Sequence, residues 1–116
     1  MKIKITIGPT VLTATMYDNP TSADFISLLP LTLMLQDYAA TEKVSDLPRK
    51  LTTEDASAGY QPSVGDITFY APWGNLAIFH KGFSYSGGLI MMGKIDGDMR
   101  VLKQAGTVQA TIELIG

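Results

Sequence analysis

Few side chains in this sequence are of a type that does chemistry, and they form no catalytic pattern. His80 is the single histidine. Its imidazole titrates near neutrality and could act as a general base, but a metal site with several His ligands is excluded from one chain. At the end of a strand beside Lys81, His80 reads as a surface residue. Asp96 and Asp98 flank Gly97 and could hold a cation, yet the D-x-D-x-D-G…E ligand count is absent; a turn and helix cap fits better. Asp66, following Gly65 at a strand start, reads as a turn cap with no carboxylate partner. Glu54 and Asp55 read as solvated loop charges, and Met91-Met92 as core filler. No G-x-S-x-G, G-x-x-x-x-G-K-[ST] or G-x-G-x-x-G occurs. Cysteine is absent, which removes thiol nucleophiles, disulfides and Cys-type zinc sites together. No catalytic residue, metal or cofactor is expected.

Aromatic side chains carry the stronger signal. Seven of the ten lie between Tyr60 and Tyr85. Phe69 and Tyr70 are adjacent on a strand and must face opposite sides. Trp73 stands in a corner, where so large a side chain is rarely fully buried. Part of the set is ordinary core. The rest could line a shallow groove, since Tyr and Trp join an apolar face to a hydrogen-bonding tip. Tyr70, Trp73, Phe79 and Phe83 are the candidates for that groove, with Tyr60, His80 and Arg49 behind them.

The elements that position these residues are mostly strands. Gly65–Lys81 reads as two strands, Asp66–Tyr70 and Asn75–His80, joined by Ala71-Pro72-Trp73-Gly74, where Pro presets φ and Gly accepts a positive one. Ile3, Ile5 and Ile7 alternate with Lys2, Lys4 and Thr6. After Gly8-Pro9 the alternation resumes over Thr10–Tyr17, so the chain opens with a β-hairpin. Asn19 or Thr21 can cap a short helix with Pro20 in its first turn and Asp24 facing the positive dipole end. Phe25, Leu28 and Leu29 give that helix an apolar side, and Pro30 ends it. Leu31–Gln36 is a strand. Glu42–Val44 is a short one, Ser45–Pro48 a turn, and Thr52–Pro62 an exposed loop. Gly82–Gly88 reads as a loop and Leu89–Lys94 as a buried strand. Met99–Gln104 reads as a short helix, with Asp98 as N-cap and Gly106 as C-cap. Val108, Ala110, Ile112 and Leu114 mark the inner face of a last strand. Seven or eight strands and two short helices without βαβ rhythm suggest an antiparallel barrel or sandwich, its ends plugged by helices.

At 116 residues, with 46% hydrophobic and 17% charged side chains, residues 1–116 make one domain with one core. A formal net charge of −2 and no Lys/Arg cluster disfavour nucleic acid and anionic lipid as partners. No apolar run reaches the roughly 18 residues of a membrane span, and the N-terminus is a strand rather than a signal segment. As it stands the chain reads as cytoplasmic, which a removed leader would change. Homo-oligomer formation is left open.

Three segments resemble the cyclophilins. Met16-Tyr17-Asp18-Asn19-Pro20-Thr21-Ser22-Ala23-Asp24-Phe25 with Leu28 resembles E-L-x-x-D-x-x-P-x-T-x-x-N-F-x-x-L. Met92-Gly93-Lys94-Ile95-Asp96-Gly97-Asp98-Met99-Arg100-Val101-Leu102 is similar to F-G-K-V-x-x-G-M-x-V-[VL]. Ala71–Phe79 is similar in position to the Gly-Pro…Asn-Gly-Ser-Gln-Phe-Phe segment. The G-D-I…L-A-I-F wording is closest to the small bacterial and archaeal cyclophilin-like proteins. The resemblance implies a closed or nearly closed eight-stranded antiparallel barrel with a short helix at each end. It also implies a ligand groove on the outer face near the Asn75 strand.

The departures bear on function. Active cyclophilins carry an arginine and a Gln-Gly-Gly on the strand after the first helix, and the forked guanidinium sits on the isomerising imide. Leu31–Val44 has neither. Phe79-His80-Lys81 with Gly87-Gly88 mimics that wording too late in the chain, with lysine for arginine, and Leu76 replaces the Gln of the Gly-Ser-Gln-Phe-Phe run. The first functional expectation is therefore a non-catalytic module that binds a small molecule or peptide segment, or forms an interaction surface. The alternative is an enzyme, a weak prolyl isomerase or another activity in the same groove. An arginine reaching the groove would favour the alternative, and Arg49 and Arg100 are the candidates.

Overall fold

The computed structural model describes residues 1–115. Period-2 alternation builds the first hairpin, β1 (Lys2–Ile7) and β2 (Thr10–Met16). It buries Ile3, Ile5, Ile7, Leu12, Ala14 and Met16 on one shared face. The helix α1 (Pro20–Ile26) follows, with Pro20 in its first turn and Asn19 as cap, its Oδ1 accepting from the Ser22 N–H at 2.8 Å. Such a cap contributes about 1 kcal/mol. Phe25 is fully buried and joins the helix to the core.

Asp24 does not serve the helix dipole as expected. Its carboxylate accepts from both Arg49 amino groups, at 3.0 and 2.6 Å, and from the Thr52 N–H at 2.7 Å. This ties a loop distant in sequence to α1. The Arg49 hydrogen bonds first, and the Thr52 N–H second, hold the carboxyl down from 3.8 to about 2. A depressed folded-state value means stability that is fully present above pH 4 and lost as pH falls toward 2. With Arg49 half exposed, solvent screening reduces this to about 1 kcal/mol. Asp24→Asn should cost about that much at pH 7 and flatten the loss of stability between pH 4 and 2. Denaturant midpoints across that range check this; parallel acid curves for variant and wild type would refute it.

The remaining strands are β3 (Leu31–Tyr38), β4 (Glu42–Asp46), β5 (Gly59–Tyr60), β6 (Asp66–Tyr70), β7 (Asn75–Phe79), β8 (Ser86–Gly87) and β9 (Leu89–Asp96). The helix α2 (Arg100–Lys103) and the strand β10 (Val108–Ile115) complete the chain. Eight strands close a barrel in the order β1-β10-β3-β4-β7-β6-β9-β2, all neighbours antiparallel. The molecule is thus a mostly β, closed eight-stranded antiparallel barrel with two short helices. Because β2 and β9 run antiparallel and each feeds a helix, α1 and α2 sit at opposite ends. Phe25 enters the core from one end and Leu102 from the other. Among the described residues no helix is long and apolar enough to cross a membrane.

Several boundaries differ from the sequence expectation. Ser45 and Asp46 extend β4 instead of turning, because both pair with β7. The Thr52–Pro62 and Gly82–Gly88 loops are not wholly irregular: β5 and β8 pair as a small second sheet. Asp98 accepts from the Arg100 N–H at 2.9 Å but stands before Met99, the N-cap residue. The helix ends at Gln104, two residues before Gly106. Leu114 is 44% exposed despite its place in the alternation. Gly93, in the Met-Gly-Lys motif, is required by close approach: a Cβ there would lie 2.6 Å from the Thr15 carbonyl oxygen.

Candidate functional site

Strand parity gives the barrel two apolar layers. On β6, Ile67 and Phe69 point into the core, leaving Thr68 and Tyr70 outside; on β7, Leu76 and Ile78 point in and Ala77 and Phe79 out. Ala77, Phe79 and Leu89 form a second buried cluster on the outer face, backed by Val44, Tyr60 and Tyr70. An outer sheet face stays buried only if something covers it. The Ala71–Gly74 corner supplies part of the cover: Gly74, at φ +69°, donates to the Tyr70 carbonyl at 2.9 Å, and the turn swings Trp73 across the sheet. The indole is 56% exposed and stands between Tyr38 and Tyr70, 5.3 Å from each ring centroid, at interplanar angles of 82° and 85°. Edge-to-face pairs of this kind hold a rigid wall.

Behind this wall lies a groove of about 230 Å³. Tyr70, Trp73, Phe79 and Phe83, separated in sequence by up to thirteen positions, all border it, together with Tyr38, Glu42, Val44, Asn75, Ser86 and Leu89. Glu42 pairs with Phe79 on one side and Tyr38 on the other. It is half-buried, and that burial raises its carboxyl above the ordinary range, opposed by a 3.3 Å hydrogen bond from the Thr41 hydroxyl. Asn75 is only 6% exposed, and its Oδ1 is buried with no donor. A buried, unpaired amide oxygen is costly in a sheet.

The three secondary candidates lie elsewhere. Tyr60 borders a neighbouring depression with Asn19, Thr21 and Ile90; burial, then the Asp66 carboxylate, raises its phenol. Arg49 is committed to Asp24. His80 is the clear correction: it is 6% exposed, not a surface residue. The inward parity of Leu76 and Ile78 carries on past the end of β7 and turns the imidazole into the barrel end near α2. Burial, and next the Lys43 charge, lowers its pKa, and Nδ1 is buried and unpartnered. Beside it sits a residue the sequence reading passed over. Lys43 is fully buried; its Nζ donates to Asp37 at 2.6 Å and to the carbonyls of Gln104 and Gly106. Asp66 does cap its turn, accepting from the Ser63 N–H at 2.7 Å. Asp96 and Asp98 are occupied by Lys2 and Arg100. Among the described residues no three His, Cys, Asp or Glu side chains gather as a metal site would require.

Comparison with known proteins accounts for this architecture. The profile of the cyclophilin-like family matches residues 5–113. The chain belongs to the cyclophilin-like family. Among solved structures, the hypothetical protein AF2241 from Archaeoglobus fulgidus superposes with a TM-score of 0.67 over 97% of this chain and 93% of its own, at 14% identity. At that identity the likeness is one of fold alone. No curated protein sequence matches. In this cyclophilin-like barrel no arginine borders the aromatic groove among the described residues. Arg100, paired with Asp98 at 2.7 Å, borders a broader depression of about 640 Å³ beside the β1–β2 turn.

Tyr38, Glu42 and Asn75 were missed as groove residues. Asn75 and Tyr70 are cross-strand partners, so the hairpin register alone could have found Asn75. Tyr38 comes from β3 and Glu42 from β4, and the pairing of β4 with β3 on one side and β7 on the other had no sequence signal.

Proposed function

We propose that this cyclophilin-like barrel is a binding module whose outer-face groove takes a small molecule or a peptide segment without turning it over. One observation carries the reading: five aromatic rings border a single groove whose other polar side chains are a carboxylate, an amide and a serine, with no arginine, lysine or histidine among the described residues. Such a lining buries and orients a ligand through apolar area and a few hydrogen bonds. It offers no cation to stabilise charge developing on a carbonyl or an imide oxygen.

Trp73 is the only tryptophan, so its emission reports the groove directly. A metabolite and peptide screen should yield a ligand that shifts Trp73 emission and raises the melting temperature, as binding to the native state requires. Trp73→Ala should weaken that ligand by roughly two- to tenfold, the loss of about 0.5–1.5 kcal/mol of aromatic contact. Equal binding by the variant, with unchanged emission in the wild type, would move the site away from this groove. A proline-peptide assay with and without cyclosporin should show no catalysed isomerisation; robust, inhibitor-sensitive turnover would overturn the non-catalytic half of the reading.

A further inference from the structure

Resting on the groove reading above, we propose that the groove selects a ligand carrying an alkylated ammonium head, in preference to a neutral or anionic group of the same shape. The lining contains one formal charge, the Glu42 carboxylate, and no basic side chain to balance it. An anionic ligand would meet Glu42 at close range with nothing to neutralise either partner. A cation would neutralise it. Around that carboxylate stand the π-systems of Tyr38, Tyr70, Trp73, Phe79 and Phe83. Aromatic faces attract a desolvated cation through their quadrupole, Trp most strongly. The two edge-to-face contacts that fix the indole between Tyr38 and Tyr70 mean that little ordering is left for the ligand to impose.

Asn75 gives the second, independent observation. Its side chain borders the groove, is more than nine-tenths buried, and its Oδ1 has no donor. An orphaned acceptor on a lining residue calls for an N–H or a polarised C–H from outside. A substituted ammonium presents either. Size agrees with charge: about 230 Å³ falls below the roughly 300–1,000 Å³ of pockets that enclose drug-sized ligands, and suits a compact head with the rest of the molecule outside. Trp73, at the rim and more than half exposed, would meet that head as it enters.

The test compares choline with its neutral isostere, in which carbon replaces the quaternary nitrogen, by titration calorimetry. The two have nearly the same shape, so their difference reads charge. Choline should bind roughly tenfold more tightly than the isostere. Glu42→Gln should narrow that ratio, and Trp73→Leu, a change at an exposed position, should weaken choline more than the isostere. Equal affinities for the two probes would overturn the selection for a cation and leave the groove reading standing. Binding of both probes undiminished in Trp73→Leu would overturn the groove reading itself. Failure of choline to bind at all would overturn the inference, and the broader screen would then decide the groove.

Discussion

Lys43→Ala should lower the stability of this barrel by about 3 kcal/mol, although the residue is a lysine on a sheet. The side chain is fully buried on the inner face of β4, opposite Ile78, where the strand pattern calls for an apolar residue. A buried ammonium persists only if its donors are all used. Here all three are: Asp37 on β3, and the Gln104 and Gly106 carbonyls between α2 and β10. Asp37 also accepts from the Gly106 N–H at 2.6 Å, and the Lys43 hydrogen bond, then that N–H, lowers its carboxyl. One side chain thus fastens the α2–β10 turn across the barrel end. Alanine leaves two carbonyls without their donor and a cavity where the butyl stem lay. Asp37, partly exposed, can turn to water, so the loss comes from the carbonyls and the void. Lys43→Met, which refills the volume without the hydrogen bonds, should recover about half of it. Chemical denaturation measures both. Hydrogen exchange at Gly106 should quicken in both variants, because the turn is no longer held. A wild-type midpoint for Lys43→Ala would mean that the buried ammonium fastens nothing.

Ile5→Ala and Ile112→Ala should each cost about 2–5 kcal/mol, the sum of lost burial and the residual cavity. The two residues are cross-strand partners in the β1–β10 ladder that closes the barrel, and both are essentially inaccessible to solvent. As they touch one void, the double variant should cost less than the two together. Leu114→Ala is the matched control: same strand and same parity, but 44% exposed, so it should stay within about 0.5 kcal/mol of wild type. If Leu114→Ala proved as damaging as Ile112→Ala, the closing register would be wrong. If neither isoleucine mattered, the first and last strands would not be joined.

What could be read from the sequence was whatever one segment decides for itself. Alternation in Lys2–Ile7 and Val108–Leu114, the Pro-x-Gly corner at Pro72–Gly74, and the Asn19-Pro20 helix start are local signals, and they place strands, corner and cap where the structure has them. Parity along one strand also suffices to put Phe69 and Tyr70 on opposite faces; that Phe69 is the inner one follows from the closed barrel. The same parity, continued from Ile78, would have turned His80 inward; a polar residue at a strand end was instead read as solvated. The turn joining β3 to β4, unlike the two strands, was illegible for a different reason. It sets Ala39 and Ala40 at φ 54° and 55°, a region where Gly or Asn is the usual marker. Alanine there carries no signal and is tolerated only because the paired strands impose it.

Tertiary structure decided everything that needs two distant segments at once. Closure brings β4 beside β7, and only then do Tyr38 and Glu42 stand with Phe79 at one groove. A lysine can occupy the core side of β4 only because the α2–β10 turn, some sixty residues on, offers carbonyls to it. Leu114 lies outside the core although its alternation matches that of Ile112, because the β3 ladder ends at the Ile112–Leu31 pair and leaves Leu114 with a ladder partner on β1 alone. Periodicity assigns a side chain to a face; which faces are covered, and by what, is settled by packing across the closed barrel.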